Sequence, residues 1–222
     1  MKAPPAENPT RRRFLGVAAA VVTAGALAFV HATLNPRPPG LPDAPFRDAG
    51  RRLGQEAAQL AQGGARIVLI ARDTTTQFQT PAYAAMAAGV EEAVGKAGQK
   101  LATSRLLKVD PLRVVSVPPG EYLELYRRLE DRDVIVSLLG PPVLDAGQLA
   151  ALGPKRPKVL ALCSGNLPRQ VDLKQLLEAG LLHTALIHRP GQGKEARAFD
   201  QMFQVVTAAN TADLPLPAGS QP

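Results

Sequence analysis

Residues 66–98, RIVLIARDTTTQFQTPAYAAMAAGVEEAVGKAG, decide the fold. The run from Arg66 to Ala71 is short and apolar, the pattern of a strand buried on both faces. It empties into a polar stretch, Arg72 to Thr80, after which Pro81 opens a helix. That helix carries Tyr83, Met86, Val90 and Val94 on one side and is stopped by Gly98. A strand leading directly into a helix with an apolar stripe is the first half of a βαβ unit.

The alternation continues toward the C-terminus. RVVSV (113–117), a helix over 120–130, DVIVSLL (133–139), a helix over 144–152, KVLALC (158–163) and a helix over 172–180 follow in order. HTALIH (183–188), a short helix near 194–201 and FQVVTA (203–208) complete the series. The piece LATSRLLKV (101–109) reads either as part of the second strand, before an Asp110-Pro111 turn, or as its hairpin partner. Parallel strands need crossovers, and right-handed crossovers place helices on the sheet faces. The expected fold class is therefore α/β: a three-layer, doubly wound, mainly parallel sheet of five or six strands, flavodoxin-like in kind.

Toward the N-terminus the pattern changes. Segment 47–62, RDAGRRLGQEAAQLAQ, has Leu53, Ala57, Leu60 and Ala61 at helical spacing, and either packs on the domain or lengthens a stalk. Pro36 to Pro45, PRPPGLPDAP, holds five prolines and reads as a semi-extended spacer, neither helix nor central strand. The expected organisation is an N-terminal segment over 1–35, a Pro-rich linker and helix over 36–62, one α/β domain over 63–210 and a disordered tail over 211–222.

Composition excludes several classes. Of 222 residues, 45% are hydrophobic and 20% charged, which rules out disorder of the whole chain. Aromatics are 4%, with no Trp, which favours layered α/β packing over an aromatic-rich sandwich. The single cysteine, Cys163, excludes an internal disulfide and thiolate-rich metal sites, and it reads as an inert core thiol. The net charge of +7 is unevenly spread: Lys2, Arg11, Arg12 and Arg13 stand against Glu7 alone in the first 32 residues. The remaining basic residues lie mostly in helix-like segments rich in Glu, so nucleic acid is not an expected partner.

The N-terminus bears the most specific motif. Thr10-Arg11-Arg12-Arg13-Phe14-Leu15-Gly16 resembles the twin-arginine export consensus, with Arg11, Arg12, Phe14 and Leu15 on its key positions. An uncharged, Ala- and Gly-rich stretch runs from Phe14 to Pro36, and Val30-His31-Ala32 offers a cleavage site. The alternative is an uncleaved N-terminal membrane anchor, held by the three arginines on the cytoplasmic side. Both readings place the remainder of the chain outside the cytoplasm, in the periplasm or on the outer face of the cytoplasmic membrane. They imply the twin-arginine export machinery as a partner.

In doubly wound sheets ligands bind beyond the carboxyl ends of the strands. That rule selects Asp73, Thr75, Gln77 and Phe78 after the first strand, Ser164 and Asn166 after KVLALC, and Arg189 after HTALIH. Each also has a plainer role in capping or turns. Motifs for chemistry are missing: no GxGxxG follows a strand, no GxSxG is present, and Gly191-x-Gly193-Lys194 lacks P-loop spacing. His183 and His188 stand at opposite ends of one strand, about 16 Å apart, too far to share a metal. No catalytic residue, metal or cofactor is assigned.

The stretch 66–98, followed by DVIVSLLG and KVLALCSG, is similar to the N-terminal lobe of type I periplasmic binding proteins, the sugar-binding family related to the LacI-type repressors. The resemblance implies that Asp73 and Gln77 make polar contacts and that the Phe78 ring stacks on a sugar. That family closes two lobes over its ligand, whereas one lobe fits here, so a second surface is expected from a second copy or another envelope protein. The second half also resembles a response-regulator receiver domain, through DVIVSLLGPPVLDAGQLAAL and EAGLLHTALIHRP. It lacks the acceptor carboxylate over 134–139, where Ser137 is the only polar side chain.

These readings converge on an exported or membrane-anchored extracytoplasmic ligand-binding or interaction module for a sugar or small polar solute, with no catalysis evident. The alternatives are an envelope assembly or accessory protein without a small ligand, and a small α/β enzyme.

Overall fold

The structure is a computed structural model that describes residues 22–26, 43–61, 63–73, 81–108, 116–189 and 198–214. It divides into two compact units, residues 1–40 and 41–222. In the first, residues 22–26 are helical, and the motif residues Arg11, Arg12, Phe14 and Leu15 lie outside the described residues. Among the described residues no helix is long and apolar enough to cross a membrane.

The second unit runs α1 (Asp43–Leu60), β1 (Ile67–Arg72), α2 (Pro81–Lys96), β2 (Leu101–Leu107), α3 (Pro119–Arg127), β3 (Val134–Ser137), α4 (Ala146–Ala151) and β4 (Lys158–Cys163). It continues with α5 (Leu167–Gln170), α6 (Leu173–Glu178), β5 (Thr184–His188), α7 (Phe199–Met202), β6 (Phe203–Val206) and a 3₁₀ helix over Ala208–Asp213. The six strands lie in the order β2-β1-β3-β4-β5-β6. All pair in parallel except β6, which runs antiparallel to β5 with Ala185 opposite Val206 and His188 opposite Phe203. The doubly wound α/β expectation holds.

Alternate residues of each strand feed two cores, as the period of two requires. Val68, Ile70, Ile135, Val159, Ala161 and Ile187 face one layer, with Tyr122, Leu125 and Tyr126 of α3. Ile67, Leu69, Val134, Val136, Leu160 and Leu186 face the other, with Met86, Val90 and Val94 of α2.

Strand order explains α1. Only the β1–β2 crossover, through α2, covers the second face, so α2 alone would leave β3 to β5 bare there. α1 fills that place: it packs along α2 and reaches β3, β4 and α7, burying Ala49, Leu53 and Ala57. Of the two sequence readings for this segment, packing on the domain is the one realised. The helix begins at Asp43, so the end of the proline-rich stretch is helical and not spacer. Pro45 sits in the first turn, where its missing N–H has no intrahelical partner to lose.

Three further boundaries differ from expectation. The second strand is 101–107, paired in parallel with β1, which excludes the hairpin alternative. Ser116 and Val117, expected as strand, are irregular, and 113–115 lie outside the described residues. The helix expected over 172–180 is α6, and a short turn that sequence did not suggest, α5, precedes it. The chain expected to be disordered from 211 completes the 3₁₀ helix, and Leu214 packs against the first core.

At the amino edge of the sheet one buried acid ties β1 to β3. Asp133 is 1% exposed. Its carboxylate accepts hydrogen bonds from the Arg66 N–H at 2.9 Å, the Arg66 Nε at 3.0 Å and the Glu130 N–H at 2.9 Å. Burial alone would push this carboxyl up, but these donors and the Arg66 charge together hold it below the usual carboxylate range.

Candidate functional site at the carboxyl edge

The opposite edge gathers the loops that sequence reasoning selected. Beyond β1, the Asp73 N–H donates to the Leu107 carbonyl at 2.9 Å, continuing the β1–β2 ladder by one residue. Thr75, Gln77 and Phe78 lie outside the described residues. Beyond β3, the buried Ser137 hydroxyl donates to the Gly140 carbonyl at 2.6 Å and is used up in that turn. A carboxylate acceptor of the receiver kind is therefore absent at this position, and its place is structural.

β4 leads into Ser164-Gly165-Asn166. Gly165 has φ +61°, a left-handed conformation that favours glycine. It turns the chain directly into α5. Asn166 occupies the N-cap of that turn, yet its side chain makes no capping hydrogen bond. The plainer capping role is thus not what occupies the Asn166 amide. β5 ends in His188 and Arg189. The Arg189 N–H donates to the Met202 carbonyl at 2.8 Å and its Nε to the Phe203 carbonyl at 3.3 Å, which fastens the residue to the junction of α7 and β6. The His188 ring sits edge-on to Phe203, with centroids 5.5 Å apart.

Between these two strand ends lies a cleft of about 440 Å³. Its polar lining is Asn166, Arg169, His188, Arg189 and Gln204, with Pro168, Ile187 and Leu214 supplying apolar surface. The volume falls in the roughly 300–1,000 Å³ range of small-molecule sites. The structure therefore brings Asn166 and Arg189 together, with Ser164, half-buried, beside them in the same turn. Asp73 does not line this cleft, because β3 separates β1 from β4, a span of about 10 Å.

Arg169 and Gln204 were missed. Arg169 follows the turn by three residues and would have been found by carrying α5 one turn past Asn166. Gln204 reaches the site only because β6 is antiparallel, which sets its beginning, not its end, at this edge and pairs Gln204 with Ile187. No sequence signal gave that direction.

Other chemistry-bearing groups are accounted for as structure. Cys163 is fully buried, and burial pushes its thiol up to about 12. At the far end of β5, His183 Nδ1 accepts the Val159 N–H at 3.2 Å. Burial, and secondarily the charge of Lys158, lower its pKa. Among the described residues no group of three or more His, Cys, Asp or Glu side chains is placed to hold a metal ion.

No known family matches the sequence, and no curated protein matches it. Solved structures do match in fold. One is an ABC transporter solute-binding protein from Burkholderia graminis in complex with D-arabinose, with a TM-score of 0.52 and 21% identity over 75% of this chain and 61% of that one. Another is the sugar-binding protein of a sugar ABC transporter from Bacillus halodurans, with a TM-score of 0.50 and 13% identity over 77% of this chain and 64% of that one. The chain thus spans less than two thirds of the length of these structures. The likeness extends to the fold: an α/β sheet of the kind found in periplasmic sugar-binding proteins, in agreement with the resemblance carried by residues 66–98.

Proposed function

We propose that the chain is an extracytoplasmic solute-binding module, exported through its Thr10–Leu15 motif and binding a sugar or other small polar molecule at the carboxyl edge of its sheet. The observation that carries this reading is the cleft between the β4 and β5 ends, where neutral and cationic donors ring an apolar floor. The two similar structures, named as solute- and sugar-binding proteins, support the solute class. Asp73, Thr75, Gln77 and Phe78 form a second part of the site beyond β1. A single lobe leaves a ligand partly in water, so a second surface, from another copy of the chain or an envelope protein, completes tight binding.

The export half is tested by changing Arg11 and Arg12 together to Lys, which should retain the protein in the cytoplasm; unchanged export through a strain lacking the twin-arginine machinery contradicts it. The binding half is tested by thermal shift against a panel of monosaccharides. Stabilisation of about 2.7 kcal/mol is expected at ligand concentrations ~100 times the dissociation constant. Absence of a response to every sugar, together with capture of an envelope protein through the same edge, favours the accessory-protein reading.

A further inference from the structure

Among the residues whose side chains are described, the cleft carries positive charge with no matching acid, and we infer that its ligand is a small hydroxylated anion, held through its carboxylate or phosphate by Arg169 and Arg189. The inference rests on the solute-binding reading above and narrows it.

Three observations support it. First, none of the described residues that line the cleft is acidic, while two arginines enter from different elements, Arg169 from α5 after β4 and Arg189 from the end of β5. Second, these two arginines, like the exposed Arg127 and Arg132 but unlike three others, are not spent on a carboxylate among the described side chains. Arg51 faces Asp48 and Glu92, Arg66 faces Asp133 and Arg128 faces Glu124. Neither Arg169 nor Arg189 forms an ion pair among the residues whose side chains are described. Third, Arg189 is fastened by its backbone to the end of α7 and by Nε to the start of β6, so its guanidinium is positioned before any ligand arrives. A pre-positioned guanidinium loses less freedom on binding, and its planar fork matches carboxylate and phosphate oxygens.

The remaining polar lining suits the rest of such a ligand. Asn166 and Gln204 each offer an amide with both donor and acceptor atoms, the chemistry that reads hydroxyl groups. A neutral sugar would use the amides and leave two cations without a counter-charge. An acidic sugar would use both sets.

The test measures binding by calorimetry and thermal shift with four probes: D-galacturonate, glucose 6-phosphate, D-galactose and inorganic phosphate. The full chain is used, alongside Arg169→Gln and Arg189→Gln, whose folding is checked by their melting temperatures. D-galacturonate or glucose 6-phosphate should bind at least about tenfold more tightly than D-galactose, and each substitution should remove about that factor. Which of the two anions binds better identifies carboxylate or phosphate as the recognised group. Equal binding of D-galactose and D-galacturonate, unchanged in both variants, overturns the anionic inference and leaves the solute-binding reading standing. Binding of inorganic phosphate alone, insensitive to both substitutions, is an adventitious ion only and also overturns it. Absence of binding by all four overturns the anionic inference and leaves the solute-binding reading to the wider sugar panel.

Discussion

The contact between α1 and α2 and the cleft at the β4–β5 edge are built from opposite materials. The helix pair closes on glycine: a Cβ on Gly50 would stand 2.0 Å from the Met86 carbonyl oxygen, and one on Gly89 would stand 2.2 Å from that of Arg47. Nothing larger than hydrogen fits between the backbones. The cleft, by contrast, is lined mainly by polar side chains, the exposed Asn166, Arg169 and Arg189 among them, over an apolar floor of Pro168, Ile187 and Leu214. The first region fixes the second face of the sheet without contributing any chemistry. The second contributes chemistry without fixing the fold. Substitutions should separate accordingly, into those that change stability and those that change binding.

The largest effect is expected at the helix pair. Gly50→Leu drives a side chain into the Met86 backbone, which cannot yield as a flexible side chain would. The domain should lose about 3 kcal/mol, or roughly 10 °C in melting temperature, read by thermal unfolding. A neutral result would mean that α1 is not docked as described.

An intermediate effect is expected from pH, at the edge away from the cleft. The carboxyl of Asp133 is held below its ordinary value, so its contribution to stability is complete above the unfolded pKa of about 3.9 and is lost as pH falls through the lower folded value. The imidazole of His183 is also lowered, by burial and by Lys158. Its neutral form is favoured by folding, so that contribution is complete above the unfolded value of about 6.5 and is lost on acidification below it. Urea midpoints should therefore fall from about pH 7 downward in two steps, His183 first and Asp133 second. His183→Asn, which keeps an acceptor for the Val159 N–H, should flatten the first step alone. A first step that survives in this variant would assign it to another group.

The smallest effect on stability is expected at the cleft. Arg169 is exposed and makes no ion pair with the described side chains, so Arg169→Gln should move unfolding by less than about 0.5 kcal/mol. A loss several times larger would make Arg169 a structural residue and remove the separation between the two regions.

The same contrast explains what could be read from sequence. β1 and α2 were legible because a buried apolar run meets a proline and a glycine at the right places. β2 was half legible, read as strand but not placed, because it is an edge strand: five consecutive residues, Ala102 to Leu106, are exposed, and the signal of burial is missing. The more apolar RVVSV drew a strand assignment beside it and left the two readings of 101–109 open. The docking of α1 was half legible. Leu53 and Ala57 announced a buried stripe, but Gly50, Gly54 and Gly89, which set the close approach, look like weak points in isolated helices. Asn166 and Arg189 followed from the rule about strand ends. Gln204 did not, since the direction of β6 depends on tertiary pairing and not on its own residues.

The central claim is that the β4–β5 edge holds the ligand, and amide chemical-shift mapping with D-galacturonate tests it most directly. The account predicts that perturbed amides cluster at Gly165, Asn166, Arg169, His188, Arg189 and Gln204, with α1 and α2 silent. Perturbations centred instead on the groove formed by Asp48, Arg51, Gln55 and Phe199, or spread evenly over the surface, would contradict it.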